Sequence, residues 1–336
     1  MPDIETPDAA AILLSSIAQD SVCCFAEMPL KGVFHPLGFS VDISTNSREV
    51  LTAAEESWGR CAKAFSEPAV HLRVGVVDAE NGVCPQEPTW RAWRNLLVTV
   101  ADAGNCSVCD LRQGAAFSWL TQAAVENRPY LRYYFLEGPA LSLLEKMYLA
   151  PLHAACVRLE DQGVLLCGDS GAGKSSLAYA CARRGWTYIS DDTSSLIRSR
   201  KQPTIVGNPY QFRFRETSVE LFPELAKQDV TRRGTGEFAI ELATATLPEI
   251  TTDLTSSVEY VVFLNRRNAN PPSLVPFSQE TAMSWFDQLL TFGENETLQA
   301  QSSAYRKLLG TKMLELRYRD LDWAVDRLET LVREGS

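Results

Sequence analysis

Two periods of apolar residues run along the chain. Val50, Ala53, Ala54, Trp58, Cys61 and Phe65 fall at helical spacing behind Asn46 and Glu49, which read as a capping box. Val70, Leu72, Val74 and Val76 alternate and predict a half-buried strand. Pro139 suits the first turn of a helix that runs on through Leu143, Leu144, Met147 and Tyr148. Beyond it the rhythm becomes regular. Strands are expected at 153–159, 163–167, 186–190, 195–198, 204–206, 211–215, 259–264 and 312–318. Residues 160–163 read as a turn. Helices are expected at 218–227, 279–292, 297–309 and 321–333, and behind a glycine-rich loop as far as Arg184, with Gly185 as its stop signal. The segment 163–167 is almost wholly apolar, as a strand covered on both faces must be. Strands alternating with helices predict an α/β domain at 151–336, and residues 1–150 read as a mixed α+β domain. No Pro/Gly/Ser linker marks the boundary at 150.

Composition narrows the class more than the function. With 336 residues, 45% hydrophobic and 22% charged, the chain has the proportions of a globular protein of about two domains. Its net charge of −10 argues against nucleic acid or an anionic membrane as partner. No apolar run approaches the ~18 residues of a membrane span, and the acidic start Met1-Pro2-Asp3-Ile4-Glu5 shows no secretory signal. The nine cysteines are odd in number and irregularly spaced, which points to reduced thiols and a cytoplasmic location. Cys106 and Cys109 form the one CxxC, without a second half for a zinc site, and read as core cysteines.

The chemistry enters at Gly168-Asp169-Ser170-Gly171-Ala172-Gly173-Lys174-Ser175, a full match to GxxxxGK[ST] between an apolar strand and a helix. Glycines let backbone N–H groups curl around phosphate oxygens, and the helix N-terminus favours an anion. Lys174 is expected to reach the β- and γ-phosphates of a nucleotide, and the Ser175 hydroxyl to bind Mg2+. Ser176 completes the expected nucleotide-binding set. A GxGxxG turn is absent, which disfavours a dinucleotide. The nearest approach to a guanine-reading motif, Ala226-Lys227-Gln228-Asp229, has Ala at the amide position. Asp191-Asp192 ends the strand that follows the loop's helix.

From His153 to Asp192 the chain resembles bacterial HPr kinase/phosphorylase, whose C-terminal domain is a P-loop variant related to phosphoenolpyruvate carboxykinase. The resemblance rests on His153, the loop, Arg184-Gly185 and Asp191-Asp192, over about 40 residues, with a looser match at Thr204-Ile205-Val206-Gly207. It implies an ATP- and Mg2+-dependent kinase in which Asp191 is general base toward a hydroxyl acceptor. Asp192 would hold the metal or orient Asp191, and His153 would sit beside Asp191 and tune it. Adjacent carboxylates repel, so one of the two is expected to have a raised pKa. The resemblance also suggests an oligomer.

Downstream the pattern departs. Where the family has an acid within a glycine-containing signature, this chain reads Tyr210-Gln211-Phe212-Arg213-Phe214-Arg215-Glu216, with Arg213 at the acid's place and Glu216 as the displaced metal-ligand candidate. Phosphorylase activity and recognition of HPr therefore lose their support. The acceptor is left as a serine of a protein or peptide, or a small-molecule hydroxyl, and a catalytically silent nucleotide-binding module is the alternative. Arg232-Arg233-Gly234-Thr235-Gly236 and Arg266-Arg267 read first as solvated loops, with phosphate contact the second reading. Arg198-Ser199-Arg200-Lys201 reads as a charged hairpin tip, and Trp285, Phe286, Leu289 and Leu290 as core. Residues 1–150 carry −7 of the net charge and the remainder −3, so a basic or neutral acceptor is expected rather than an acidic one.

Overall fold

In this computed structural model the described residues are 27–77, 82–232, 238–267, 270–290 and 292–335. They fall into two compact units: 27–91 with 96–143, and 92–95 with 144–335. A cut at 150 would pass through a strand, Leu149–Leu159. None of the described helices is long and apolar enough to cross a membrane.

The first unit is built on one seven-stranded sheet. Its strands are β1 (Leu30–Phe34), β2 (Val41–Thr45), β3 (Val70–Val77), β4 (Thr89–Trp93), β5 (Leu96–Asp102), β6 (Asn105–Asp110) and β7 (Ala115–Thr121), in the order β1-β2-β3-β7-β6-β5-β4. The alternation read at 70–76 is β3, with Val70, Leu72 and Val74 buried. The helix behind β2 spans Arg48–Trp58 and buries Val50, Ala53, Ala54 and Trp58. It stops short of Cys61, which is half-buried, and of Phe65, which is buried against Phe39. Its cap also differs from expectation. Ser47 is the N-cap and its hydroxyl donates to Glu49 at 2.6 Å. Asn46 instead exchanges two 2.8 Å hydrogen bonds with the backbone of Val76, tying the helix entry to β3. Cys109 is buried and Cys106 half-buried on β6, and among the described residues no cluster of three metal-binding side chains occurs.

The second unit is a three-layer α/β sandwich. Its sheet contains β8 (Leu149–Leu159), β9 (Gln162–Cys167), β10 (Thr187–Ser190), β11 (Thr193–Ile197), β12 (Thr204–Gly207), β16 (Thr255–Ser257), β17 (Tyr260–Asn265), β18 (Ser273–Pro276) and β19 (Lys312–Arg317). The order is β16-β12-β11-β8-β9-β17-β19-β18, with β10 alongside β8. Only β9–β17 and β17–β19 are parallel, so the sheet is mixed. Alternation sends Val164, Leu166, Val262, Leu314 and Leu316 to one face, under helices Lys174–Arg183 and Leu321–Glu334. Leu165, Cys167, Val261, Phe263 and Met313 go to the other, under Gln279–Asp287 and Asn295–Lys307. This is why 163–167 reads as apolar throughout.

A small sheet of β13 (Gln211–Phe214), β14 (Val230–Arg232) and β15 (Phe238–Ala243), in the order β13-β15-β14, stands against the helix Lys174–Arg183. Phe212, Phe214, Ile240 and Leu242 pack on Tyr179 and Tyr188. The helix expected at 218–227 is two short 3-10 turns, Glu216–Glu220 and Pro223–Lys227, because Pro223 removes the donor a continuous helix needs there. The helix from Gln279 ends at Asp287 rather than 292. At the hairpin after β11, Arg198 turns back to donate to the carbonyls of Lys146 and Met147 at the end of helix Gly138–Met147, and Lys307 donates to Arg198 and Arg200. That tip is charged but tied down.

Candidate active site

The carboxyl ends of β9, β17 and β19 lie along one edge of the second sheet, the place where ligands sit in α/β folds. β8 runs antiparallel to β9 with Ala154 opposite Cys167, so His153 reaches the same edge. β11 pairs Thr193 with His153, which brings Asp192 there too.

Asp191 and Asp192 follow directly on the end of β10, as expected, and β11 resumes beyond them along the same neighbour. β10 pairs Ser190 with Cys156, β11 resumes by pairing Thr193 with His153, and both lie on the same side of β8. The two acids occupy the bend between. Ser190 and Ser194 close it with a 2.6 Å hydroxyl–hydroxyl contact, and Ser194 donates to the carbonyl of Ala154 at 2.8 Å.

The loop after β9 has three glycines at positive φ: Gly168 at 148°, Gly171 at 83° and Gly173 at 99°. Gly173 has a second constraint, since a Cβ there would lie 2.7 Å from the Tyr318 hydroxyl. Lys174 is buried at the first turn of its helix, and its Nζ donates to the carbonyls of Gly168 at 2.8 Å and Asp169 at 3.2 Å. Burial pulls its pKa down, against the attraction of Asp192. Asp169, Ser170 and Gly171 are exposed, while Ala172, Gly173, Ser175 and Ser176 are half-buried. The Ser175 hydroxyl makes a long 3.4 Å contact to the backbone carbonyl of Asp191, so the helix start and the acid bend touch.

The two acids are driven apart in pKa. Asp191 is 6% exposed, and burial pushes its carboxyl up to about 7. The hydrogen bond from the Arg213 backbone N–H to Oδ2, at 2.6 Å, and the Arg213 charge oppose that rise, and repulsion from Asp192 adds to it. The expected raised member of the pair thus exists, with burial rather than the neighbouring acid as the main cause. Asp192 moves the other way. Its Oδ1 lies 3.0 Å from His153 Nδ1, and that hydrogen bond holds its carboxyl below the ordinary value despite burial. His153 therefore partners Asp192, not Asp191 as the sequence suggested.

Of the remaining expected residues, Glu216 is exposed on a 3-10 turn, and no hydrogen bond or ion pair among the described residues joins it to the loop or the acids. The loop 233–236 lies outside the described residues. Arg266 does reach the glycine-rich loop: its Cδ is 3.5 Å from where a Cβ on Gly173 would stand, and its guanidinium faces the Tyr318 ring at 6.0 Å. Arg267 is exposed, its N–H bonded to Asn265. Arg213 sits opposite Glu241, with Nε 3.5 Å from the carboxylate. Sequence reasoning gave no role to Arg215, whose Nη2 donates to the Ser170 hydroxyl at 2.7 Å. Its spacing from Arg213, two residues along a strand whose Phe212 and Phe214 turn inward, was the available signal.

The family model of the HPr Serine kinase C-terminal domain matches residues 147–216. HPr kinase/phosphorylase sequences from two Limosilactobacillus reuteri strains are 43% identical over 72 residues, which is 20% of this chain. The match spans only 22% of the length of those relatives. The solved HPr(Ser) kinase/phosphatase of Coxiella burnetii aligns with 55% of this chain and 93% of its own, at 14% identity and a TM-score of 0.32, a likeness too loose to carry an argument. Loop, His153 and acid bend all lie within the matched segment, so the chain's likeness to the HPr kinase C-terminal domain is concentrated on the candidate site.

Proposed function

We propose that this protein is a phosphotransferase of P-loop type that moves the γ-phosphate of ATP to a hydroxyl. The observation that carries the reading is a buried carboxyl held by a backbone N–H beside the start of the glycine-loop helix, where burial pushes it up to about 7. A base titrating near neutral pH is matched to taking a proton from a hydroxyl. Asp191 accepts that proton. The N–H groups of 168–173 and the Lys174 ammonium hold the phosphates, the ammonium exchanging its bonds to Gly168 and Asp169 for phosphate oxygens. His153 keeps Asp192 ionised and oriented.

The Ser175 hydroxyl and the Asp192 carboxylate fit Mg2+, which favours hard oxygen donors, takes few of them from protein and keeps several waters. Ser175 has only its long contact to give up, and Asp192 is 35% exposed. Glu216 does not fit this set. Bound there, the ion would neutralise charge on the phosphates.

The acceptor is a serine of a protein or peptide or a small-molecule hydroxyl. Labelled ATP offered with candidate acceptors tests the proposal. Transfer that disappears in Asp191→Asn and Lys174→Met supports it, and full transfer by Asp191→Asn refutes the assigned base. One observation favours a silent nucleotide-binding module instead: Arg213 stands where the resembling family has an acid, and it pairs with Glu241. Nucleotide binding unchanged by Asp191→Asn, with no transfer to any acceptor, would select that reading.

A further inference from the structure

β13 presents alternate residues to two environments. Phe212 and Phe214 enter the core beside Tyr179. Arg213 lies on the other face, and Arg215, two residues on, continues that face past the strand end. Both reach the site by different atoms. The Arg213 backbone N–H holds Asp191, and the Arg215 guanidinium holds Ser170, the third residue of the glycine-rich loop. Arg215 Nη1 lies 3.6 Å from the position of a Cβ on Gly171. One short segment thus touches both the base and the phosphate-holding loop.

The partner of Arg215 is chemically weak. Arg158, Arg183, Arg184, Arg213 and Arg317 all meet carboxylates. Among the described residues no carboxylate ion pair is found for Arg215, which is exposed and bonded to a neutral hydroxyl. A bond from a charged guanidinium to a neutral hydroxyl contributes about 1.5–3 kcal/mol net at most, whereas guanidinium–phosphate bonds are charged on both sides and bidentate. An anion arriving on the loop can therefore draw Arg215 off Ser170 with little loss.

We propose that Arg215 closes on the transferring phosphoryl group, with Ser170 as its resting partner. The inference rests on the phosphotransferase reading above. In the step, the acceptor oxygen forms a bond to the γ-phosphorus. The bond from that phosphorus to the β,γ-bridging oxygen breaks, and its electron pair leaves with the nucleoside diphosphate. The hydroxyl proton passes to the Asp191 carboxylate. Arg215 keeps its protons throughout and donates hydrogen bonds to the equatorial oxygens, where charge is spread as transfer proceeds.

A residue that merely fastens the loop predicts something different, so the test compares two truncations. Binding of ADP, and of ADP with aluminium fluoride as a mimic of the phosphoryl in flight, is measured by calorimetry for wild type, Arg215→Ala, Arg215→Lys and Ser170→Ala. We expect Arg215→Ala to bind ADP within about threefold of wild type and to lose about 100-fold or more of the affinity for the fluoride complex. Retained ADP binding shows that the variant is folded. Ser170→Ala is expected to keep the wild-type preference for the fluoride complex over ADP, whatever its effect on both affinities, since it frees the guanidinium without removing it. Arg215→Lys is expected to recover less than a tenth of the loss, because an ammonium lacks the planar fork. The transfer rate of Arg215→Ala should fall about 100-fold or more with the KM for ATP within a few-fold. The inference is overturned if Arg215→Ala keeps wild-type preference for the fluoride complex, or if Arg215→Ala and Ser170→Ala lose ADP and fluoride-complex affinity in parallel. A wild-type protein that binds ADP and the fluoride complex equally overturns the phosphotransferase reading itself.

Discussion

Asp191→Asn should stabilise the protein at alkaline pH while removing its transfer activity. Asn keeps an oxygen for the Arg213 N–H and nearly the same shape, but it carries no charge into the site. The wild-type carboxyl moves from 3.8 to about 7 in the folded chain. At ~1.36 kcal/mol per unit, ionising it in place withholds roughly 4 kcal/mol of folding stability. The sign follows from proton counting. Between pH ~4 and ~7 the folded state holds a proton that the unfolded state releases, so stability from this group falls as pH rises through that window and is level above it. Below the unfolded value the group is neutral in both states and contributes nothing. Urea unfolding of wild type and Asp191→Asn at pH 5 and pH 8 reads this directly. The Asn variant should exceed wild type by about 2–4 kcal/mol at pH 8, part of the gain being lost to its unpaired amide, and by much less at pH 5. A difference that does not change with pH, or an Asn variant less stable than wild type at pH 8, would refute the claim that burial raises this carboxyl. The same value sets the activity profile of wild type: transfer should rise with pH toward about 7 and then level off.

Other consequences can be checked more briefly. His153→Ala removes the bond that holds the Asp192 carboxyl down, so the Asp192 carboxyl signal in a 13C titration should move to higher pH. Gly173→Ala forces a side chain to φ 99° and against the Tyr318 hydroxyl. It should cost at least ~1–2 kcal/mol in unfolding and abolish nucleotide binding, and Tyr318→Phe added to it should recover only part of the loss. Asn46→Ala gives up both bonds to Val76 and should cost about 1–3 kcal/mol by urea unfolding, without effect on nucleotide affinity.

The sequence revealed the second unit better than the first, for physical reasons. Strands covered on both faces leave unbroken apolar runs, so β9 and β17 stood out, and the glycine-rich loop is a local motif whose spacing carries its own geometry. β4 to β6 did not stand out, because one side of them is open: Trp90, Trp93, Val100 and Val108 are exposed. At 218–227 the expected helix is broken at Phe222-Pro223, where backbone chemistry overrules side-chain pattern. In the site, the residue types were legible and their pairings were not. Which acid takes His153 is decided by the register of β11 on β8, and which residue supports Asp191 by the approach of β13. Both are contacts between strands distant in sequence. Arg215 escaped because its partner is a neutral serine of the motif itself, which leaves no charge pattern to notice.

The bend that carries the two acids constrains how this chain can change in length. From Ser190 to Thr193 the chain advances three residues, and β8 advances three from Cys156 to His153. The excursion is therefore commensurate with the strand it faces. Inserting or deleting one residue between 190 and 193 would turn Thr193–Ile197 over, exchanging the buried face of Leu196 for the buried face of Ser195 and Ile197 and breaking the packing of both. It would also separate the Ser190 and Ser194 hydroxyls. The hairpin between β11 and β12 has no such arithmetic to satisfy. A scan of single-residue insertions through 187–203 should thus divide sharply, with folding lost across the acid bend and kept at 199–202. Drift in length within this segment is confined to its far end, and the two carboxylates stay fixed to the frame of β8.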